Sequence, residues 1–276
     1  MPGHVRKGVD LGKNHFSKHI LDELRKTVPD VAPHAVLQDR DSFVAIYPEV
    51  VEGNPLDARR VVRWILLIPP KDVPPTWDLE TDFILGFMPI YITLYNRLKL
   101  GPTLRCDSTL FYAFLDHDYQ DFKRERHGAS CTTRKAWYFE KLGCGKVELK
   151  HDPMRCFCFE PSFDLRPKDL ETLHNACETF HSYDPLTFHI LIAAMCGCTA
   201  IVHPLPCISL EEFHSLCGPL TRFGVAYGDD PEQVAHARAT KHLVKDLVKQ
   251  TIAKNAHRTR QALKDILFAL DSSERY

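Results

Sequence analysis

The sequence lacks any long hydrophobic run. None of its apolar stretches approaches the roughly 20 residues that a helix needs to span a bilayer. The first residues, Met-Pro-Gly-His-Val-Arg-Lys-Gly, are polar and contain no apolar leader segment. These two features predict a soluble protein of the cytoplasm rather than a secreted or membrane-spanning one.

A charge excess of either sign is also missing. The chain has 35 Lys and Arg residues against 36 Asp and Glu residues, so its net charge is −1. Proteins that bind nucleic acid usually carry a basic excess, so this chain is not predicted to bind nucleic acid. Internal repeats and low-complexity tracts are absent as well. A hydrophobic fraction of 44% over 276 residues can supply the core of one large domain or two ordinary ones.

Cysteine, in contrast, is plentiful, with ten residues in the chain. Without a secretion signal, buried free thiols are favoured over disulfides. Two Cys-x-Cys pairs occur, Cys156/Cys158 and Cys196/Cys198. Alternate residues of a strand face the same side, so such a pair could bind zinc, although structural zinc sites usually space their cysteines by two to four residues. Zinc stays an alternative, and no metal is predicted to be required.

Residues 179–204 predict a strand, a turn, a helix, a turn and a second strand. Asp184 is predicted to cap the helix, with Pro185 as its first residue and Gly197 ending it in a left-handed conformation. Residues 199–202 are apolar and rich in β-branched side chains, which favours a strand. The N–H groups at the start of such a helix lie at the carboxyl end of the preceding strand and form an anion site. The alternative is an ordinary packed βαβ unit.

Outside this unit the pattern is coarser. Residues 1–14 predict a loose tail, and the proline-rich stretch 69–75 predicts a hinge or surface linker. Strand and helix candidates alternate from about residue 131, which indicates a mainly parallel sheet with helices on both faces. Residues 231–270 predict helices with a break near Ala253. The remaining candidates are helices at 14–28, 167–177 and 210–217 and strands at 42–47, 81–85, 109–115, 131–134 and 155–159.

Three further segments occur in a characteristic order. They are Tyr-Pro-Glu-Val-Val-Glu-Gly-Asn-Pro-Leu at 47–56 with Val-Val-Arg-Trp at 61–64, Thr-Arg-Lys at 133–135, and Ser-Tyr-Asp-Pro-Leu-Thr at 182–187 with Ala-Ala-Met-Cys-Gly-Cys at 193–198. Together they resemble the GT-B-type glycosyltransferases of cell-surface polysaccharide synthesis. The resemblance implies an α/β fold of two facing Rossmann-like domains, with a nucleotide-sugar bound in the second.

On this resemblance, residues 1–75 form a partial, acceptor-side Rossmann-like region. Residues 76–230 form the donor-binding domain, and 231–276 form helices that pack back on the body of the protein. The first region is short and is expected to lack its opening strands. The paired glutamates of many retaining GT-B enzymes are missing, because Pro185 and Ala193 stand about where they would fall. The stereochemical outcome therefore stays open.

The predicted donor site gathers residues from two of the three segments. A leaving diphosphate is stabilised by N–H groups at a helix start and by cations. A guanidinium can bind two phosphate oxygens, whereas an ammonium acts as a point charge. No cofactor is expected, because the nucleotide-sugar is a substrate. The alternative for the basic pair at 134–135 is a solvated strand end. The predicted donor contacts are Arg134, Lys135, Ser182, Tyr183, Asp184 and Thr187.

The catalytic residue is predicted to be a carboxylate. Glu49 is the first candidate for the general base that takes the acceptor's proton, because it lies just after a predicted strand. Asp57 and His127 are the alternatives. Asn54 and Arg63 are expected to shape the cleft; otherwise Asn54 makes only a turn and Arg63 only pairs with an acid.

Two other functions remain open. Asp116 and Asp118 end an apolar run and resemble the metal-binding motif of GT-A glycosyltransferases, in which two carboxylates hold a divalent ion. The rest of the chain does not follow the GT-A order. A non-catalytic nucleotide- or glycan-binding module is the second alternative, which the short N-terminal region motivates.

The C-terminal segment 238–264 carries eight Lys or Arg residues and one acid, Asp246. An apolar stripe on the same segment favours a docked helix with a basic outer face. A functional alternative is a peripheral contact with a membrane surface or a lipid-linked acceptor. The predicted partners are thus a nucleotide-sugar and a glycan or lipid-linked acceptor.

Overall fold

The computed structural model describes residues 43–273 except 116, 124, 153, 160–164 and 219. The tail and helix predicted at 1–28 lie outside these residues. Within the described part of the chain, residues 43–45 and 55–60 belong to one compact unit, and residues 46–54 and 61–273 belong to a second. The contacts described below are those within the second unit.

The first sheet has four strands in the order β1-β2-β3-β4. β2 pairs in parallel with β3, and β3 with β4. Helix α1 (Pro89–Arg97) connects β3 to β4 and begins with a proline, where a missing N–H costs nothing. This sheet extends to Thr109, beyond the end of the N-terminal region expected at residue 75. The strands are β1 (Val44–Pro48), β2 (Arg60–Ile65), β3 (Phe83–Gly86) and β4 (Ser108–Thr109).

The second sheet has five strands in the order β6-β5-β7-β8-β9, and every neighbouring pair is parallel. This is the order of a flavodoxin-like doubly wound sheet. The strands are β5 (Ala129–Thr132), β6 (Cys156–Cys158), β7 (Thr179–Ser182), β8 (Thr199–Val202) and β9 (Val225–Tyr227). The intervening helices are α2 (Arg134–Lys141), α3 (Pro167–Ala176), α4 (His189–Met195) and α5 (Leu210–Leu216). The strand predicted at 199–202 is confirmed.

Three helices follow the last strand: α6 (Pro231–Thr240), α7 (Val244–Ala253) and α8 (Asn255–Ser273). Helix α7 packs against α4, and α8 contacts β3 and β4 of the first sheet. Two hydrogen bonds fix α8 there: Ser108 Oγ donates to Asp265 at 2.9 Å, and Asn255 Nδ2 donates to the carbonyl of Ala113 at 2.6 Å. The end of the chain thus returns to the first sheet.

One hydrophobic core serves both sheets. Ile65 and Ile84 of the first sheet belong to the same buried cluster as Phe180 and Val202 of the second. No helix in the described part of the chain is both long and apolar enough to cross a membrane. The protein is therefore an α/β structure of two parallel sheets with a shared core, consistent with a Rossmann-like fold.

Several local predictions were wrong. Residues 110–115 form no strand, since β4 ends at Thr109. Residues 133–134 lie outside the strand, because Thr133 is the N-cap of helix α2 and Arg134 is its first residue. The proline-rich stretch contains a turn of 3₁₀ helix, Pro74–Thr76, flanked by the buried side chains of Val73 and Trp77. Proline is tolerated in a first helical turn. Because the side chains on both sides of this turn are buried, the stretch is packed against the protein and is not a free linker.

Cysteine pairing differs from the expectation in one place. Cys144 and Cys207 form a disulfide, with 4.9 Å between their Cα atoms. The bond joins the loop after α2 to the loop after β8, where Gly145 also approaches Pro206 closely. The two cysteines are 63 residues apart, so the sequence alone does not predict their contact. The other eight cysteines are free, as expected.

Gly197 ends helix α4 with a φ of +87°, as predicted. A Cβ atom at this position would collide with the ion-paired side chains of Asp121 and Arg126. Gly143, which follows helix α2, has a similar φ of +91°, but a Cβ there would meet open space. A substitution at Gly143 therefore tests backbone strain alone, whereas a substitution at Gly197 adds a steric collision.

We expect Gly143→Ala to lower the free energy of unfolding by about 1 kcal/mol, because alanine disfavours this backbone conformation. Gly197→Ala should cost at least about 1 kcal/mol more, because the ion pair must also move. Urea denaturation of both variants measures the difference. Equal losses would show that the Asp121–Arg126 pair does not restrict this turn.

Candidate functional site

The candidate site lies at the carboxyl ends of β5 and β7. The chain leaves β5 towards β6 on one side and returns to β7 on the other, so the loops that follow these strands diverge. Ligands of doubly wound sheets bind in the crevice at such a switch point. Thr132 and Ser182 pair at the last register position of the two strands.

Thr132 is a site residue that the sequence reasoning missed. Its side chain is buried, and its hydroxyl has no hydrogen-bond partner among the described residues. A buried hydroxyl without a partner costs free energy and calls for a ligand or an ordered water. Its position directly before the Thr-Arg-Lys segment was the available signal.

Lys135 lies in the first turn of α2, with its Nζ 4.4 Å from the ring centroid of Tyr138. Burial raises the pKa of Asp184, whereas the N–H of Leu186 and the positive charge of Lys135 act in the opposite direction. The charge of Lys135 therefore acts on Asp184, with no direct ion pair between these two described residues. Arg134 is the first residue of α2, but its side chain is not among those described.

The predicted helix start at Asp184 and Pro185 is wrong. Helix α4 begins only at His189. Asp184 accepts a hydrogen bond from the N–H of Leu186 at 2.9 Å, which makes a local turn, a common alternative to helix for this residue type. Thr187 lies between this turn and the helix, and its hydroxyl accepts from the N–H of His189 at 3.4 Å. The helix therefore begins four residues later than predicted, and Leu186 and Thr187 lie before it.

Ser182 and Tyr183 have internal partners. Ser182 Oγ donates to the carbonyl of Asp184 at 2.9 Å and accepts from its N–H at 3.1 Å. Tyr183 is fully buried, and its hydroxyl accepts from the N–H of Lys150 at 2.7 Å and lies 3.0 Å from Nδ1 of His151. These side chains shape the loop and hold a neighbouring segment, so neither offers a free hydroxyl to the crevice.

Glu49 follows β1 and comes to the same region from the first sheet. Its side chain is buried, and its Oε2 accepts from the N–H of Leu66 at 2.9 Å. Burial raises the pKa of Tyr138, and the negative charges of Asp184 and Glu49 raise it further. The same two carboxylates and burial also raise the pKa of Tyr91 on α1. Glu49 and Asp184 therefore both act on Tyr138, the ring that Lys135 contacts.

Arg63 and Asn54 stabilise the first sheet. Arg63 is buried, with its Nε 2.7 Å from Asp82 Oδ2 and its guanidinium 5.1 Å and 5.2 Å from the ring centroids of Tyr47 and Trp77. Asn54 Oδ1 accepts from the hydroxyl of Tyr47 at 3.0 Å. The alternative in which Arg63 pairs with an acid is confirmed.

The other catalytic candidates have different surroundings. His127 is exposed and precedes β5, at the amino end of the strands, whereas the crevice lies at their carboxyl end. Asp57 belongs to the other compact unit and has a φ of +53°. Asp116 lies outside the described residues. Asp118 is exposed, and its carboxylate lies 3.0 Å and 3.5 Å from the ammonium groups of two lysines of α7, Lys245 and Lys249.

Much of the basic C-terminal segment is used for docking. Lys241 donates to the carbonyl of Gly197, and Lys245 donates to that of Tyr119 at 2.9 Å. Arg238 lies 3.7 Å from Glu178. These contacts are what the docked-helix interpretation of residues 238–264 requires.

A small cavity of about 80 Å³ opens beside the crevice. It lies among the loops that follow β3, β7 and α5, so both sheets contribute to it. Its walls are mainly apolar and could hold a ring-shaped group. The lining includes Phe87, Met88, Pro185, Leu186, Thr187 and Thr221.

Comparison with solved structures gives several likenesses, and one of them is to a glycosyltransferase. A crystal structure of a glycosyltransferase from Rickettsia africae ESF-5 matches 94% of this chain and 83% of its own, with a TM-score of 0.41 and 9% sequence identity. No family model and no curated protein sequence matches the chain. The geometry of the crevice therefore carries the functional argument.

Asp184→Asn tests the electrostatics of the crevice. Because burial raises the pKa of Asp184, the wild-type protein loses stability as pH rises from the ordinary Asp range through the folded-state pKa. Asparagine keeps the acceptor for Leu186 N–H and carries no charge. We expect the variant to gain stability relative to wild type as pH rises above the ordinary Asp range, measured by urea denaturation at a series of pH values.

Asp118→Asn is the matched control, for which we expect a change in stability of the opposite sign. The lysine contacts hold the pKa of Asp118 below its usual value, so its contribution to stability is present above the ordinary Asp pKa and lost as pH falls. This variant should therefore lose stability relative to wild type as pH rises. Parallel behaviour of the two variants would contradict the assigned environments.

Proposed function

We propose that this protein is a nucleotide-sugar-dependent glycosyltransferase of GT-B type that transfers a sugar to a glycan or glycolipid acceptor. One observation carries the proposal: loops that follow β3 of the first sheet and β7 of the second line a single cavity. Glu49 comes from the first sheet, and Lys135 and Asp184 come from the switch point of the second. A transferase needs this combination of a carboxylate on one side and a phosphate-binding group on the other.

In this proposal the donor diphosphate binds at the start of α2. Lys135 supplies positive charge, and Arg134 adjoins it. The side chain of Thr133 does not cap this helix, so N–H groups of its first turn can donate to phosphate. The unpartnered hydroxyl of Thr132 supplies a further donor. These groups stabilise the leaving diphosphate without a divalent ion.

Glu49 is the proposed general base. Leu66 N–H holds one oxygen of its carboxylate and leaves the other for the acceptor. The acceptor hydroxyl oxygen attacks the anomeric carbon, the bond from that carbon to the phosphate oxygen breaks, and the nucleoside diphosphate leaves with the bonding electrons. The hydroxyl proton passes to Glu49. A single displacement of this kind inverts the anomeric centre.

A non-catalytic nucleotide- or glycan-binding module is the second candidate. The burial of Glu49 and its bond to Leu66 N–H favour it, because the same features suit a structural carboxylate. A GT-A-like metal site at Asp116 and Asp118 has less support, since Asp118 is paired with two lysines. The two experiments below separate these functions.

Lys135→Ala tests the donor site, and Lys141→Ala on the same helix is its matched control. Lys141 contacts Trp137 at 4.3 Å much as Lys135 contacts Tyr138, but it lies at the far end of α2. We expect Lys135→Ala to weaken nucleoside diphosphate binding about 10-fold, the loss of one phosphate contact. Lys141→Ala should change it little.

The measurement is calorimetric titration with UDP, GDP, ADP, CMP and dTDP, with and without manganese. Binding of one nucleoside diphosphate without manganese is the expected result. An equal effect of both lysine variants would remove the donor site from α2. Binding that requires manganese would favour Asp116 and Asp118 instead.

Glu49→Gln tests catalysis separately from binding. Glutamine keeps the acceptor for Leu66 N–H but cannot take a proton. With the nucleotide-sugar whose diphosphate binds, we expect donor hydrolysis or transfer to fall by at least about 100-fold while nucleotide affinity stays unchanged. Glu52→Gln, an exposed glutamate of the same loop, is the control and should retain activity.

The outcomes separate the two functional classes. Nucleotide binding without turnover by the wild-type protein would identify a binding module. Turnover that survives Glu49→Gln would keep the transferase and assign the base to another residue.

A further inference from the structure

We propose that Cys131, His151, Cys156 and Cys158 bind a zinc ion in a closed structural site on the edge of the five-stranded sheet. The four potential ligand atoms lie within 4.8 Å of one another. This inference is independent of the proposed function, because none of these residues belongs to the crevice.

Sheet pairing brings the three cysteines together. Cys131 of β5 lies directly opposite Cys158 of the neighbouring strand β6. Cys156 is two residues before Cys158, so both side chains leave the same face of β6. The Cys-x-Cys spacing is short for zinc when it stands alone, but the adjacent strand supplies the third thiol.

His151 completes the set from the loop before β6. Its Nε2 lies 3.6 Å from Cys131 Sγ and 3.9 Å from Cys158 Sγ. A tetrahedron with ordinary zinc–sulfur and zinc–nitrogen bonds has sulfur–nitrogen edges of about 3.6 Å and sulfur–sulfur edges of about 3.8 Å. The two nitrogen–sulfur distances are therefore close to those of a zinc coordination shell, and the most widely separated ligand atoms, which lie within 4.8 Å, need to approach by about 1 Å to bind one ion.

Tyr183 orients the histidine. Its hydroxyl oxygen lies 3.0 Å from His151 Nδ1 and accepts from the N–H of Lys150 at 2.7 Å. A histidine that binds metal through Nε2 carries its proton on Nδ1 and donates it to a partner of this kind. The ring is thus held with Nε2 directed at the thiols.

The donor set selects the metal. Three thiolates and one imidazole in tetrahedral array suit zinc, and magnesium and calcium prefer oxygen ligands. Four protein ligands leave no open position, so the site is structural. A bound ion would fix the connection between α2 and β6 to the sheet.

The first test is the zinc content of the purified chain by mass spectrometry, under reducing conditions without chelator. We expect about one zinc per chain for wild type. The double variant Cys131→Ser/Cys158→Ser should contain none, whereas Cys106→Ser, which removes an exposed free thiol elsewhere, should retain it. Zinc retained by the double variant would overturn the proposal.

Two further measurements do not depend on the folding of the double variant. Cobalt added to the metal-stripped wild-type chain should give the visible bands and thiolate charge-transfer absorption of a tetrahedral site; their absence would overturn the proposal. Tyr183→Phe keeps all four ligands and removes the partner of Nδ1. We expect it to weaken zinc binding 10- to 100-fold in competition with a chromogenic chelator, and unchanged affinity would contradict the assigned orientation of His151.

Discussion

The parallel pairing of β5 with β7 is the constraint on which both candidate sites depend. This ladder aligns Ala129–Thr132 with Thr179–Ser182 at the centre of the five-stranded sheet. At its carboxyl end the diverging loops open the crevice that contains Lys135 and Asp184. On its other edge β5 pairs with β6 and brings three thiols together. Tyr183, directly after β7, links the two regions, because its backbone N–H bonds to the carbonyl of Thr132 and its hydroxyl to the loop at 150–151.

Polar groups of the second unit fall into two kinds. Some have internal partners, as the Nε of Arg63 has in Asp82. Others, such as the hydroxyl of Thr132 and the carboxylate of Asp184, remain in unfavourable surroundings. Groups of the first kind stabilise a fold. Those of the second kind cost stability and are typical of sites that bind something else.

Local patterns predicted the strand at 199–202 and the left-handed end of α4 at Gly197. Both depend on the conformational preferences of the residues themselves, which are β-branched in the strand and glycine at the helix end. Local patterns failed at Asp184, where capping a helix and closing a short turn use the same carboxylate, and only packing decides between them. The pairing of Cys131 with Cys158 and the disulfide between Cys144 and Cys207 depend on sheet order and loop contact, which one sequence does not display. The joint effect of Glu49 and Asp184 on Tyr138 depends on the packing of the two sheets, which one sequence does not display either.

The disulfide makes a covalent ring of the middle of the chain. Its two cysteines are 63 residues apart, and β6, β7 and β8 all lie between them. If the chain were pulled by its ends, the force would pass through the disulfide and the residues between the two cysteines would not extend. The fully stretched chain would therefore be about 200 Å shorter than a reduced one. An oxidised chain that loses its tertiary structure would keep these three strands tethered as one loop, whereas β5 and β9 would separate from them.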